Sequence, residues 1–334
     1  IPRSQIVLVS ALAGAGVLAA LAPRLDSYFA LIISNIGINV ILAVSLNLIN
    51  GYTGQFSLGH AGFMAVGAYS AAAITMFGAP KFAPALTQGA GVHVLFPLAL
   101  VGGGLAAALA GVLVGAPSLR LKGDYLAIVT LGFGEIIRVL FRNVDSLGGA
   151  LGLNGIPAYT NLFWVYAFAA LTVYVVVSLV NSTYGRGFLA VHDDEIAAEA
   201  MGINTTRYKI TAFVVGAFFA GVAGGLYGHS ILTIAPTGFD FMRSIEIVVM
   251  VILGGMGNTT GVIIAAVLLT LLPEGLRMLA GAPVSLPFSA PFHNLKWIAD
   301  TRMILYSLLV IVLMLARPQG LFSWTKRSAT KTRV

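Results

Sequence analysis

Residues 29–62, FALIISNIGINVILAVSLNLINGYTGQFSLGHAG, begin as a run that crosses a bilayer and end as one that cannot continue as a helix. Positions 29–49 carry no charge, and a helix of that length reaches about 30 Å, the thickness of a hydrocarbon core. Gly51, Gly54, Gly59 and Gly62 then interrupt the apolar pattern. Outward from this stretch the same alternation recurs. Apolar runs between polar or Gly/Pro breaks predict ten segments, roughly 6–22, 29–49, 58–77, 93–115, 125–141, 161–180, 210–229, 244–254, 259–279 and 301–316. The eighth is too short to span alone and reads as half of a broken helix unwound at GGMGN, so eight or nine spans are also open. The expected fold is all-α and polytopic, with about 8–10 transmembrane helices and broken Gly-rich segments. One transmembrane domain covers 1–318, and a basic tail covers 319–334.

Composition agrees. Of the 334 residues 58% are apolar and 9% charged, against about 25% charged in soluble chains. The absence of cysteine excludes disulfides, thiolate nucleophiles and Cys-based metal sites, and five scattered histidines form no ligand cluster. The net charge of +7 sits mostly beside spans and in the tail KRSATKTRV, which fits anchoring at anionic lipid rather than nucleic-acid binding. No signal-peptide cleavage pattern stands apart from the first span. With both termini inside, the inner loops collect eleven of nineteen basic residues, a modest bias resting largely on the tail.

The break at 51–62 has a counterpart in the second half, VILGGMGNTTG, with Gly254, Gly255, Gly257 and Gly261. Unwound backbone at membrane depth is tolerated only where protein or water satisfies it, so paired breaks of this kind point to a substrate path. Its candidate lining is Gly51, Tyr52, Thr53, Gly54, Gln55 and Ser57 in the first break and Gly254, Gly255, Gly257 and Asn258 in the second. Close helix packing is the other use of such glycines, and GGG at 102–104 and AGVAGG at 220–225 read that way.

A polar island, 184–209, divides the sixth span from the seventh. After His192, Asp193 or Asp194 can cap a helix start, Glu195 and Glu199 suit its first turns, and Ala197, Ala198 and Ala200 favour the helix. Gly202 stands where a left-handed C-terminal cap would end it, and Ile196 and Met201 give it a modest apolar face. Such an element is either a docking helix or a solvated interfacial loop.

EIAAEAMG, 195–202, resembles the EAA motif of ABC importer permeases, a coupling helix that docks on the ATPase. Around it GYTGQFSLGHAGFMAVGAY (51–69), LKGDYLAIVTLGFGEIIR (121–138), GRGFLAVHDDEIAAEAMGINTTRYK (185–209) and GGMGNTTG (254–261) are similar to LivM-type permeases of high-affinity branched-chain amino acid importers. The resemblance runs from about residue 35 to 322. It implies a cytoplasmic coupling helix in which Glu195, Ala197, Ala198, Glu199 and Gly202 serve ATPase coupling. It also implies a multi-pass bacterial inner-membrane subunit that carries Leu, Ile or Val. Its partners would be a LivH-like second permease, two ABC ATPase subunits and a periplasmic amino-acid-binding protein. No G-x-x-x-x-G-K-[ST] occurs, so this chain cannot cradle ATP phosphates by that device, and the resemblance implies that ATP and Mg are bound by the partner ATPases, with no cofactor and no catalysis in this chain. Urea and short-chain amide importers use similar permeases. An ion-coupled carrier is a third class, requiring unpaired acids near the midplane.

Glu135, Glu246 and Glu274 fall in or beside spans, each with an arginine three positions away: Arg138, Arg243 and Arg277. These pairs either neutralise charge or serve a gate. His60 reads as a neutral side chain bonding to exposed backbone or as a substrate ligand, and Asp124 as a helix cap.

Overall fold

The computed structural model describes residues 3–21, 24, 26–87, 89–118 and 124–281, with 307, 308, 311–313, 315 and 320. Helices dominate: α1 Arg3–Leu21, α2 Ser27–Asn47, α3 His60–Ala73, α4 Val92–Ser118, α5 Asp124–Arg142, α6 Leu162–Val180, α7 Thr183–Asp193, α8 Glu195–Ala200, α9 Thr205–Ile231, α10 Phe241–Gly254 and α11 Thr259–Gly281. The strands are β1 Leu153–Asn154 and β2 Thr233–Ile234, an antiparallel pair with Leu153 opposite Ile234.

Polar residues set the helix starts. Asn161, Ser182, Asp194, Asn204 and Asp240 each accept from a backbone N–H of the first turn they cap, satisfying donors that a helix start leaves open. Beyond Asn47, α2 widens into a π turn, Leu48–Tyr52, before the chain unwinds. α3 ends in a second π turn, Ile74–Gly78.

Among the described residues six helical stretches are long and apolar enough to cross a membrane: Ser27–Tyr52, His60–Phe82, Gly89–Pro117, Leu162–Val180, Thr205–Ile231 and Thr259–Arg277. The other expected segments resolve differently. The first forms α1, which packs along α6. The fifth forms α5, which carries Glu135, Arg138 and Arg142 and is amphipathic rather than uniformly apolar. The eighth forms α10, 14 residues or about 21 Å long. It ends not in a continuing half but in a tight turn from which α11 folds back, with Gly254 against Val262. Segment 301–316 and the tail 319–334 lie largely outside the described residues.

Lipid supplies no hydrophobic force between helices, so close approach must. At the centre α3, α4 and α9 meet on glycines. A Cβ on Gly103 would come within 2.6 Å of the Gly67 carbonyl oxygen, and one on Gly221 within 2.9 Å of the Gly103 carbonyl oxygen. The packing use of 102–104 and 220–225 is thus realised. Phe63 and Phe213 fill the adjoining layer edge to face, 6.4 Å apart.

Candidate functional site

The polar island folds into two short helices, α7 and α8, joined at Asp194. Of the two possible caps, Asp194 is the one used: its Oδ1 accepts from the amides of Ile196 (2.9 Å) and Ala197 (3.0 Å). Gly202 is left-handed at φ +82°. Its N–H donates to the Glu199 carbonyl (2.9 Å) and that of Ile203 to the Ala198 carbonyl (3.0 Å), the paired bonds of a Schellman stop. The glutamates of this helix turn back on their own chain. Lys209 Nζ, at the buried base of α9, lies 2.7 Å from Glu195, and the Thr205 hydroxyl donates to Glu199 (2.6 Å). Ala198 is buried beneath the helix, whereas Ala197, Ile196 and Met201 face outward, the last two 72% and 83% exposed.

The two glycine breaks lie at the same end of the bundle, and they touch. Asn47 Oδ1 accepts from the Gly257 N–H (2.9 Å), and the hydroxyls of Tyr52 and Thr259 bond across the junction at 2.8 Å. Gly51 packs directly on Gly257, where a Cβ would collide with Asn47 and the Gly257 amide. Gly54 abuts His192 at the end of α7, which places the junction beside the polar island. Thr53 donates to the Ile49 carbonyl (2.7 Å), Gln55 to the Thr53 carbonyl (3.2 Å), and the Ser57 N–H to Asn50 Oδ1 (3.2 Å), whereas the buried Ser57 hydroxyl has no partner among the described residues. Gly51, Tyr52, Thr53, Gln55, Ser57, Gly254 and Gly255 are buried, Gly257 and Asn258 half-buried and Gly54 exposed. His60 is buried too, but it bonds the Ser45 hydroxyl (2.9 Å) instead of open backbone. Asp124 opens α5 as its first residue, and its side chain lies outside the described ones.

All three acids in or beside spans hold their arginines: Glu135 with Arg138 at 2.7 Å, Glu246 with Arg243 at 2.8 Å, and Glu274 with Arg277 at 3.8 Å, where the Tyr28 hydroxyl also donates to Glu274. Two of them line a cavity of ≈ 320 Å³ between α2, α9, α10 and α11, at the end of the bundle away from α8.

Three comparisons bear on this geometry. The family profile described as "Branched-chain amino acid transport system / permease component" matches residues 28–315. The chain is 35% identical over 324 residues to the high-affinity branched-chain amino acid transport system permease protein LivM of Salmonella typhimurium, covering 86% of this chain and 68% of that one. It belongs to this permease family. A probable LivM of Methanocaldococcus jannaschii is 26% identical over 316 residues, 85% of this chain and 90% of that protein. The Salmonella typhimurium permease LivH is 32% identical over 108 residues, covering 32% of this chain and 34% of that one. No solved structure matches.

Membership makes this chain a multi-pass membrane permease component, not an enzyme. Its sequence motifs marked two of the three features above. The structure joins the two glycine sets into one junction and puts the polar helix next to it. The cavity was not foreseen as a unit, and Asn35 and Asn39 were missed altogether. Their signal was available: two amides four apart within an uncharged span share one helix face, and polar groups in a span face protein or water.

The buried end of the Lys209–Glu195 pair gives a direct stability test. Glu195→Met should leave the buried Lys209 ammonium without its carboxylate and destabilise the permease by about 3 kcal/mol, whereas the double change with Lys209→Met should recover most of that loss. Thermal unfolding of the purified permease reads both, and an undiminished midpoint in Glu195→Met would show that the pair holds nothing.

Proposed function

We propose that this permease is the membrane-spanning subunit of an ATP-driven importer for the branched-chain amino acids Leu, Ile and Val in the bacterial cytoplasmic membrane. It works with a LivH-like second permease, two ABC ATPase subunits and a periplasmic amino-acid-binding protein. ATP and Mg are bound by the ATPases. The observation that carries this reading is α8: a helix too short to stand alone, fixed at both ends by caps and from beneath by Lys209 and Thr205, that presents Ile196 and Met201 outward. A connecting loop requires no such construction. A rigid knob that carries motion from an ATPase into α9 does.

In this reading Glu195, Glu199 and Gly202 hold the knob's shape while Ala197, Ile196 and Met201 meet the partner. Ala198 seats it against the bundle. The adjacent junction of Gly51–Ser57 with Gly254–Asn258 is the inner closure of the path, parted when α8 is displaced. The substrate class rests on the family and its relatives.

Co-purification from membranes, followed by ATPase assay with and without a leucine-loaded binding protein, tests the reading. A stable complex whose hydrolysis rises with the loaded protein is expected. A chain that purifies alone and moves solute down an ion gradient would overturn it.

A further inference from the structure

We propose that the cavity between α2, α9, α10 and α11 is a binding site of the permease itself for an α-amino-acid zwitterion, with Arg243 holding the α-carboxylate. The inference rests on the import function above and adds to it a second recognition step inside the membrane.

The polar wall is built, not incidental. Arg243 Nη1 donates to Glu246 (2.8 Å) and Nη2 to Asn39 Oδ1 (2.7 Å), while Asn39 Nδ2 donates to the Thr270 hydroxyl (2.9 Å). Asn39 is 5% exposed, so the guanidinium is oriented from a fixed, buried amide. Asp240 caps α10 through the Arg243 N–H (3.0 Å), which sets the backbone from which that side chain projects. Glu274, held by Tyr28 and Arg277, forms part of the same wall.

Charge selects the ligand class. Arg243, Glu246 and Glu274 line the cavity, and Arg277, which pairs with Glu274 from outside the lining, brings the sum to zero, which suits a species bearing one charge of each sign and no net charge. A substrate carboxylate would dock on the guanidinium that Asn39 holds in place, through N–H donors that Glu246 and Asn39 leave over, and charge-assisted bonds to a guanidinium fork are the stronger kind. The half-exposed Glu246 carboxylate is then available to an ammonium a few bonds away. An uncharged amide or urea can hydrogen-bond to either group but brings no opposite charge to it. The rest of the lining includes Tyr227, Ile231, Met250 and Leu269, a largely apolar set that accepts a branched aliphatic side chain. At about 30 Å³ per water the cavity equals roughly ten waters, ample room for an amino acid of leucine's size.

The test uses the complete complex of both permeases and ATPases in lipid nanodiscs, without binding protein, and saturation-transfer NMR with leucine, leucinamide and 4-methylpentanoate as probes. Leucine should receive at least fivefold more transfer than either analogue lacking one charge. Arg243→Met should reduce it to the analogue level, Arg243→Lys should fall between, and Arg138→Met, whose pair lies outside the cavity, should match the parent. Thr270→Val, which removes the hydroxyl that supports Asn39 together with its bond to the Ala266 carbonyl within α11, should weaken leucine transfer while keeping assembly, so a poorly folding Arg243 variant does not decide the matter. Equal transfer to all three probes, or undiminished leucine transfer in Arg243→Met, overturns the site while leucine uptake by the parent importer keeps the import function standing. Absence of leucine uptake by the parent importer sinks the import function and the site with it.

Discussion

Gly202→Val is expected to insert, assemble and hydrolyse ATP, yet to lose roughly tenfold in leucine uptake. The penalty is conformational only. At φ +82° no atom lies within 4 Å of where a Cβ would stand, so the side chain meets open space. An L-residue in that region costs about 1–2 kcal/mol, and a β-branched one is disfavoured further. About 1.4 kcal/mol shifts an equilibrium tenfold. Six residues of helix cannot absorb that loss, because an isolated helix of that length has no stability to spare. The variant therefore populates an α8 with an open C-terminal end, in which the amides of Gly202 and Ile203 no longer close on Glu199 and Ala198. Gly202→Asn, tolerated in left-handed backbone, should retain most uptake. Uptake into proteoliposomes measured beside ATPase rate separates the cases. Parent-level uptake by the Val variant would mean that the capped turn transmits nothing. An Asn variant as poor as Val would mean that the position acts through its surface.

The caps of α8 were legible because capping is a local code: an acid before the alanines and a glycine after them suffice, and both do what their spacing implies. The apolar spans were legible for the same reason, as length and hydropathy are read along one segment. What stayed hidden is relational. Nothing in the sequence near Glu195 or Glu199 indicates that Lys209 and Thr205 would claim them, leaving Ile196 and Met201 as the outward face. The three Glu–Arg pairs were visible as i,i+3 neighbours, but that two of them share a cavity with Asn39 depends on how α2, α10 and α11 cross. The glycine breaks were each visible, and their contact was not, since Asn47 and Gly257 lie 210 positions apart. Segment 244–254 was open between half of a broken helix and a separate segment because composition cannot distinguish a broken span from one that turns back, and the chain turns back.

That contact gives the second large effect: Gly51→Ala is expected to abolish leucine uptake at a temperature where the complex stays monodisperse. The new methyl would occupy the place where Gly257 N–H meets Asn47 Oδ1. Neither neighbour can yield easily, one being backbone in a left-handed turn at φ +76° and the other a side chain with no exposure at all. Overpacking costs about 1–3 kcal/mol, and leaving a buried polar group unpaired a further 1–3 kcal/mol or so. Thr259→Val, which removes only the bond to Tyr52 and adds no volume, should lose far less uptake. The two losses distinguish a moving closure from a structural weld. If the junction parts and reseals in each cycle, Gly51→Ala stops transport while ATP hydrolysis continues, because the energy released no longer reaches a path that can close. If it is only a weld, uptake and hydrolysis fall together and in step with the unfolding temperature, and the closure role assigned to Gly51 and Gly257 fails.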